Sequence, residues 1–338
     1  MAELLRTLYV TTPGTSLHLD GDAVRVVHPE RPGRHLLPLV RLHDIVVVKG
    51  VTVSSDLLHR CASDGRTVTW ISRNGRFLAR ANGPQSGNPL LRLAQARAFD
   101  DSERRCAIAR AIVAGKLHNY RQLLLRAARD CDGSRQRQLR DVAASHAAAL
   151  GELGAARDLT AILGIEGRAA RDYFQSLPLL APEAPPGRTR RPPLDPVNCL
   201  LSFGYALLRV AVHGALEQVG LDPYLGYLHG VRPGKPALAL DLMEEFRPLL
   251  VDRLVLTLVN RGQIRPSYTQ TVPGGAVQLT DEGRRFFLEQ WSAARERTWP
   301  HAVLKRDVPA GLLPLVQARL LARHLRGDAS SYHPWTVS

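Results

Sequence analysis

A change of pattern at residues 83–89 constrains the fold more than any other feature of the chain. Before this Gly- and Pro-rich segment, short alternating apolar runs are separated by Asp-Gly and Asn-Gly pairs, which is typical of β-hairpins. After it, residues 90–130 are nearly free of Gly and Pro and carry apolar residues at helical spacing. We therefore predict an α+β protein with three parts: a mostly antiparallel N-terminal β domain (1–83), a linker (84–89) and a larger all-α C-terminal domain (90–338).

The charge of the chain predicts a polyanionic partner. Lys and Arg together number 45 against 31 acidic residues, a formal charge of +14, and only four of the basic residues are Lys. Arg binds phosphate bidentately, so nucleic acid is the first candidate and an acidic membrane surface the second. A GC-rich genome would explain the preference for Arg over Lys, but it would not explain the excess of bases over acids.

Cysteine usage and hydropathy predict a cytoplasmic protein. The four cysteines, Cys61, Cys106, Cys131 and Cys199, have no CxxC spacing, which argues against a zinc knuckle and a disulfide framework. The start of the chain lacks the charged and apolar regions of a signal peptide. No uninterrupted apolar run has bilayer length, so we expect no membrane association.

Residues 221–248 contain the strongest candidate site. His229 lies in a Gly/Pro-rich loop, and a predicted helix then carries Asp241, Glu244 and Glu245. Asp241 and Glu244 are three residues apart and would share one helix face. Together with His229 they could bind Mg²⁺ or Mn²⁺. Spacing alone also allows a solvated helix face beside an ordinary loop histidine.

Two further segments have one functional and one structural interpretation each. Glu166 lies between two glycines at a predicted helix start, where it could cap the helix or supply a third metal ligand. The Pro/Arg-rich loop at 178–193 carries Arg188, Arg190 and Arg191, which could follow a phosphate backbone or belong to a solvated linker.

The order of several motifs resembles one family. GIEGRAARDYF, RRPPLDPVNCLLSFGYALL, GLDPYLGYLH and PALALDLMEEFRPLLVDRLVLTLVNR follow each other as in CRISPR-associated protein one, the adaptation (spacer-acquisition) integrase and endonuclease. TLYVTTPGTSLHLDGDAVRV and RNGRFLAR near the N-terminus are similar to the same family, and most of all to its subtype I-C group. The resemblance covers nearly the whole chain.

The resemblance implies a site, an activity and partners. Its metal ligands correspond to Glu166, His229 and Glu244, where some relatives have Asp in place of Glu244, and Asp241 corresponds to an additional acid. The implied activity joins the 3′-hydroxyl ends of short DNA duplexes (prespacers) to the CRISPR repeat. The implied assembly is a homodimer formed through the β domains, with two such dimers bridged by a dimer of a small ferredoxin-like second adaptation subunit to give a heterohexamer.

Basic residues next to these motifs in the sequence are our candidates for DNA contacts. They are Arg168, Arg188, Arg190, Arg191, Arg232, Lys235 and Arg247. Two other functions stay open: a purely hydrolytic metal-dependent nuclease, and a non-catalytic nucleic-acid-binding scaffold in which the acids and His229 are structural. The products distinguish them, because only an integrase joins strands.

Overall fold

The computed structural model describes residues 6–83 and 89–337, so most of the predicted linker, residues 84–88, lies outside the described residues. The N-terminal part contains eight strands and one helix. They are β1 (Arg6–Val10), β2 (Ser16–Asp20), β3 (Ala23–His28), β4 (Arg31–Pro38), β5 (Leu42–Val48), β6 (Thr52–Val53), α1 (Ser55–Ser63), β7 (Thr67–Ile71) and β8 (Phe77–Ala81).

These strands form two four-stranded sheets, ordered β1-β5-β7-β8 and β4-β3-β2-β6. The prediction of mostly antiparallel pairing is wrong for the first sheet, where β5 pairs in parallel with both β1 and β7. The run Ile45–Val48 explains the difference, because it is buried throughout, as in the central strand of a parallel sheet. Helix α1 lies in the β5–β7 connection, which parallel strands require.

The helical part begins at residue 89. Its helices are α2 (Pro89–Asp100), α3 (Ser102–Arg129), α4 (Gly133–Ala155), α5 (Leu159–Gln175), α6 (Leu177–Leu180), α7 (Pro196–Val219), α8 (Ala237–Met243) and α9 (Arg253–Asn260). The interpretation of Glu166 as a helix-start residue is wrong. Helix α5 begins seven residues earlier, where the Asp158 carboxylate accepts from Ala161 N–H at 2.8 Å, and it continues through both glycines.

The C-terminal part adds four short strands and two helices. They are β9 (Thr269–Thr271), β10 (Val277–Leu279), α10 (Asp281–Glu296), β11 (Thr298–His301), β12 (Arg306–Pro309) and α11 (Leu313–Arg326). The chain forms two compact units, one of residues 1–85 with 265–293 and one of residues 86–264 with 294–338. This corrects the predicted all-α domain of residues 90–338. Residues 265–293 pack with the β unit, where Trp291 Nε1 donates to the Tyr9 hydroxyl at 3.1 Å.

Helix α7 qualifies the expectation that no segment has membrane-spanning length. Its 24 residues are long and apolar enough to cross a bilayer by length and composition. However, 67% of its most apolar stretch is buried inside the protein. This burial is typical of a core helix of a globular unit.

Candidate active site

The loop that precedes α8 is held by one carboxylate. Asp241, fully buried in α8, accepts backbone N–H groups from Tyr227 at 2.6 Å, Leu228 at 2.9 Å and His229 at 2.8 Å. Its Oδ1 also contacts His229 Nδ1 at 2.7 Å. Because its oxygens already have four partners, Asp241 orients the imidazole and leaves Nε2 of His229 for another ligand.

Gly226 makes this close approach possible. A Cβ at this position would lie 2.7 Å from Asp241 Oδ2 and 2.6 Å from the carbonyl carbon of Ala237. Neither group can move aside, because one belongs to the helix backbone and the other is fixed by its hydrogen bonds. The absence of a side chain at Gly226 therefore lets the loop amides reach Asp241.

The sequence spacing predicts one helix that carries both Asp241 and Glu244. In the structure Asp241 lies in α8, and Glu244 is the C-cap residue that directly follows this helix. Helix α8 ends at Met243, a turn of three residues follows, and a π-helical turn then spans Arg247–Asp252. Pro248 lies in this π turn, where its missing N–H interrupts regular α-helical hydrogen bonding. Such turns are frequent at functional sites, and here the turn begins three residues after Glu244.

Lys116 connects the two predicted carboxylate ligands. It lies on the buried face of α3, only 3% exposed, and its Nζ is 2.6 Å from Glu244 Oε2. The same ammonium donates to Glu166 Oε1 on α5. Burial alone would lower the pKa of Lys116, but the charges of Glu244 and Glu166 raise it above the usual value. The ammonium therefore remains charged between the carboxylates.

Glu244 is the most strongly perturbed acid of the site. Burial would raise its pKa, but the charges of Arg247, Lys116 and His229 outweigh burial and lower the pKa to about 2. Its Oε1 forms an ion pair with Arg247 Nη1 at 3.0 Å. Its Oε2 lies within ion-pair distance of Lys116 but has no well-aligned hydrogen-bond donor. A buried carboxylate oxygen without a hydrogen bond is suited to a cation.

The chemistry of Glu166, His229 and Glu244 fits a hard or borderline divalent ion. They offer carboxylate oxygens and an imidazole nitrogen, and Asp241 supports the imidazole from behind in the way usual for metal-bound histidines. Within residues 6–83 and 89–337, no three His, Cys, Asp or Glu side chains are already grouped closely enough to hold an ion. Lys116 lies within ion-pair distance of both Glu166 and Glu244, so a cation bound by these carboxylates would replace its ammonium as their counter-charge.

An aromatic ring lies between two arginines beside the site. The guanidinium carbon of Arg247 is 4.9 Å from the centroid of the Tyr205 ring, and that of Arg188 is 5.5 Å from it. Arg188 also donates to Asn198 Oδ1 at 2.7 Å and Ser202 Oγ at 2.9 Å. These contacts fix Arg188 within the protein, so it is not a freely mobile loop residue.

The other candidate DNA-binding residues lie in different settings. Arg168 is ion-paired with Glu152 on the surface of the helical unit. Arg190, Arg191 and Arg232 are exposed, and Lys235 is half-buried. The structure does not bring these residues into one cluster around Lys116, and their contact with DNA stays a prediction.

Sequence reasoning missed Lys116, although the sequence contains a signal for it. Ile112, Lys116 and Tyr120 are spaced by four residues, so the charged residue falls within the apolar stripe of α3. A lysine in such a stripe requires a buried anionic partner. Such a position predicts contact with one of the acids.

Fold and site together define a basic α+β protein whose helical unit carries a buried acid–imidazole–ammonium cluster. The family model described as CRISPR associated protein Cas1 matches residues 8–293. A CRISPR-associated endonuclease Cas1 of Moorella thermoacetica is 47% identical over 98% of both chains, and one of Rhodospirillum rubrum is 45% identical over 99% of both. The chain belongs to the Cas1 family, and both of these relatives are named CRISPR-associated endonucleases.

Solved structures agree with this fold. A CAS1 protein from Thermotoga maritima aligns with a TM-score of 0.81 at 26% identity, over 98% of this chain and all of the other. A casposase bound to integration product aligns with a TM-score of 0.85 at 23% identity, over 97% and 93% of the two chains, and shows the fold alone. Both alignments include the N-terminal β part and the helical part, which confirms the predicted α+β class.

Proposed function

We propose that this protein is a metal-dependent DNA endonuclease and integrase. It joins the 3′-hydroxyl ends of prespacer duplexes to the CRISPR repeat by transesterification. One observation carries the proposal: the buried Asp241 accepts from three backbone amides of the loop and contacts Nδ1 of His229 at 2.7 Å, which leaves Nε2 of the imidazole for another ligand. This geometry is the one that a metal-binding histidine needs.

Glu166, His229 and Glu244 are the proposed ligands of Mg²⁺ or Mn²⁺. When bound, the ion supplies neutralisation of the charge on the attacked phosphate and activation of the attacking hydroxyl. Asp241 keeps the proton of His229 on Nδ1, so that Nε2 presents its lone pair. Arg247 stays paired with Glu244 and keeps its carboxylate ionised and oriented. Lys116 balances the two carboxylates when no divalent ion is present.

The identity of the nucleophile decides between joining and cutting. With a DNA 3′-hydroxyl as the nucleophile, one phosphodiester bond is exchanged for another. This exchange needs no nucleotide hydrolysis, and the sequence contains no GxxxxGK[ST] loop. With water the same residues would nick DNA, which is the purely hydrolytic alternative. A non-catalytic scaffold is the less favoured alternative, because burying the charges of Lys116 and Glu244 without a function for them is costly.

The proposed assembly follows from the family. We propose a homodimer formed through the β unit, two copies of which are bridged by a dimer of a small ferredoxin-like second subunit in a heterohexamer. A solved complex titled Cas6-RT-Cas1–Cas2 aligns over 98% of this chain with a TM-score of 0.80 at 26% identity, and its name supports such a partner. The chain spans 36% of that larger protein. We place the complex in the cytoplasm and the chain in subtype I-C.

An integration assay tests the proposal. The purified protein, with and without its second subunit, is mixed with a supercoiled plasmid carrying the repeat and a labelled short duplex in Mn²⁺ or Mg²⁺. The variants are Glu244→Gln and His229→Ala. The exposed Glu289→Gln serves as a matched control, because it removes one glutamate charge from the other unit.

The expected result is label joined to the plasmid by the wild type and by Glu289→Gln. Joining should be lost in both site variants and in chelator. Nicking without joining, with the second subunit present, would favour the hydrolytic nuclease. Activity that is equal in all four proteins would show that the reaction takes place elsewhere.

A further inference from the structure

Three arginines and one tryptophan form a basic surface on the helical unit, which we call the Arg–Trp patch. Its members come from the end of α3, the start of α9 and the approach to β11. They are Arg126, Arg253, Arg297 and Trp299. None of them belongs to the predicted DNA-binding residues or to the site around Lys116.

The aromatic member is fixed, and it holds one of the arginines. The guanidinium carbon of Arg253 lies 5.0 Å from the centroid of the Trp299 ring, which is close enough for a cation–π interaction. Trp299 packs edge-on against the buried Trp335, with centroids 5.5 Å apart and planes at 89°. Arg253 therefore loses little additional freedom on binding a ligand.

The neighbouring strand brings a second arginine close to Trp299 in the chain. Arg297 is two residues before Trp299, and its carbonyl accepts from Ala310 N–H at 2.8 Å, which extends the pairing of β11 with β12. The backbone bends at Arg297, just before β11 begins, and Arg297 is exposed to solvent.

The patch concentrates positive charge that no acid neutralises. Burial lowers the pKa of Arg253, and the positive charges of Arg126 and Arg297 lower it further. Across residues 6–83 and 89–337, none of the three forms an ion pair with a carboxylate. Their mutual repulsion is unfavourable in the free protein, and a polyanion would relieve it.

We infer that the Arg–Trp patch binds the phosphodiester backbone of the DNA that reacts at the Glu166–His229–Glu244 site. The inference rests on the proposed function. Arg126 follows Lys116 by ten residues on α3, which is about 15 Å along the helix axis. Successive phosphates of one strand are spaced by about 3.4 Å along a duplex, so the patch lies roughly four phosphates from the reacting one. Guanidiniums suit this role because they bind phosphate oxygens bidentately.

The test compares two triple variants that carry the same charge. Arg126→Gln/Arg253→Gln/Arg297→Gln removes the patch. Arg137→Gln/Arg140→Gln/Arg326→Gln removes three exposed arginines elsewhere on the helical unit, so both lower the formal charge from +14 to 14 − 3 = +11. A labelled 30-base-pair duplex is titrated by fluorescence anisotropy in chelator at several salt concentrations. Strand joining of the wild type is measured separately.

Each lost phosphate contact reduces the magnitude of the slope of log affinity against log salt by about 0.9. The slope of the triple patch variant should therefore be smaller in magnitude than that of the wild type by about 2.7. The control variant should keep the wild-type slope. The double variant Arg126→Gln/Arg297→Gln changes only exposed side chains, so it guards against misfolding at the half-buried Arg253. Its slope should be smaller in magnitude than that of the wild type by about 1.8.

Equal slopes for the wild type, the patch variants and the control would overturn the inference while leaving the proposed function intact, provided that the wild type joins strands. Equal losses in patch and control variants would also overturn it, because total charge alone would then explain binding. Weakened binding of the second subunit with unchanged DNA slopes would instead make the patch a protein interface. A wild type that neither binds nor joins DNA would contradict the proposed function itself.

Discussion

Glu244 and Asp252 are two buried carboxylates, one before the π turn and one at its end, and their pKa values are shifted in opposite directions. The pKa of Glu244 is lowered to about 2. The pKa of Asp252 is raised to about 6 because it is buried, and the hydroxyls of Tyr205 and Tyr173 only partly oppose that effect. The Tyr205 hydroxyl donates to Asp252 Oδ1 at 2.5 Å.

Burial is common to both acids, so it cannot be the cause of the difference. Glu244 has Arg247 and Lys116 within ion-pair distance, whereas the direct partner of Asp252 is a neutral phenol. Full positive charges outweigh the cost of burial, and neutral donors do not. The protein thus keeps Glu244 ionised and places a weaker acid eight residues away, in the packing around Tyr205.

The largest expected effect separates the two acids by activity. Glu244→Gln should reduce strand joining by roughly 100- to 1,000-fold, because it removes a charged group from the reaction centre. Asp252→Asn should stay within about threefold of the wild type, a change of well under 1.4 kcal/mol in the barrier. Initial rates with a labelled duplex measure both. Similar losses of joining rate in the two variants would show that the reaction does not distinguish Glu244 from Asp252.

The next effect concerns the cation between the carboxylates. In chelator, Lys116→Met should lower the free energy of unfolding by about 3–5 kcal/mol, because Glu166 and Glu244 would face each other without a positive charge. Denaturant titration measures the loss. Added Mn²⁺ should restore more stability to the variant than to the wild type. If Mn²⁺ raises both midpoints equally, Lys116 does not occupy the position of the ion.

A third effect is a pH dependence carried by Asp252. Its pKa is higher in the folded chain than the usual 3.8, so the folded state binds the proton more tightly. Its contribution to stability is complete below about pH 4 and is lost as the pH rises to about 6. The loss amounts to about 3 kcal/mol from the two-unit shift. The difference in unfolding free energy between wild type and Asp252→Asn should fall over this range, and a flat difference would contradict the shift.

The smallest effect tests the phenol alone. Tyr205→Phe keeps the ring that contacts Arg188 and Arg247 but removes the hydroxyl that donates to Asp252. We expect a loss of about 1–3 kcal/mol in unfolding free energy, since a buried carboxylate loses its donor. Joining activity should change little. A large loss of activity would mean that the hydroxyl cluster and the cation cluster act as one unit.

The sequence identified candidate acids and an imidazole, but it did not predict how these side chains are arranged in space. Motif order singled out Glu166, His229 and Glu244, and the structure places Glu166 and Glu244 on either side of one ammonium. Their metal binding stays a prediction. The shared helix face of Asp241 and Glu244 stays a prediction, because Glu244 is the C-cap of α8, and local spacing carries no information about where an α-helix changes into a π turn.

What the sequence could not provide depends on contacts between distant segments. The parallel pairing of β1 with β5 joins strands more than thirty residues apart, and alternation within each strand predicts a strand without its partner. Lys116 meets Glu166 across 50 positions and Glu244 across a still longer separation. Only tertiary packing reveals these partners.

The division of the β unit between residues 1–85 and 265–293 has a consequence for synthesis. During translation the first 85 residues leave the ribosome early, but the segment that completes their packing follows after about 180 more residues. At typical elongation rates of about 5–20 residues per second, this delay is on the order of 10–40 s. Helices α2–α9 thus emerge while the N-terminal sheets still lack Trp291 beside Tyr9. The nascent chain has to keep the partly finished sheets from associating with other chains until its last third is made.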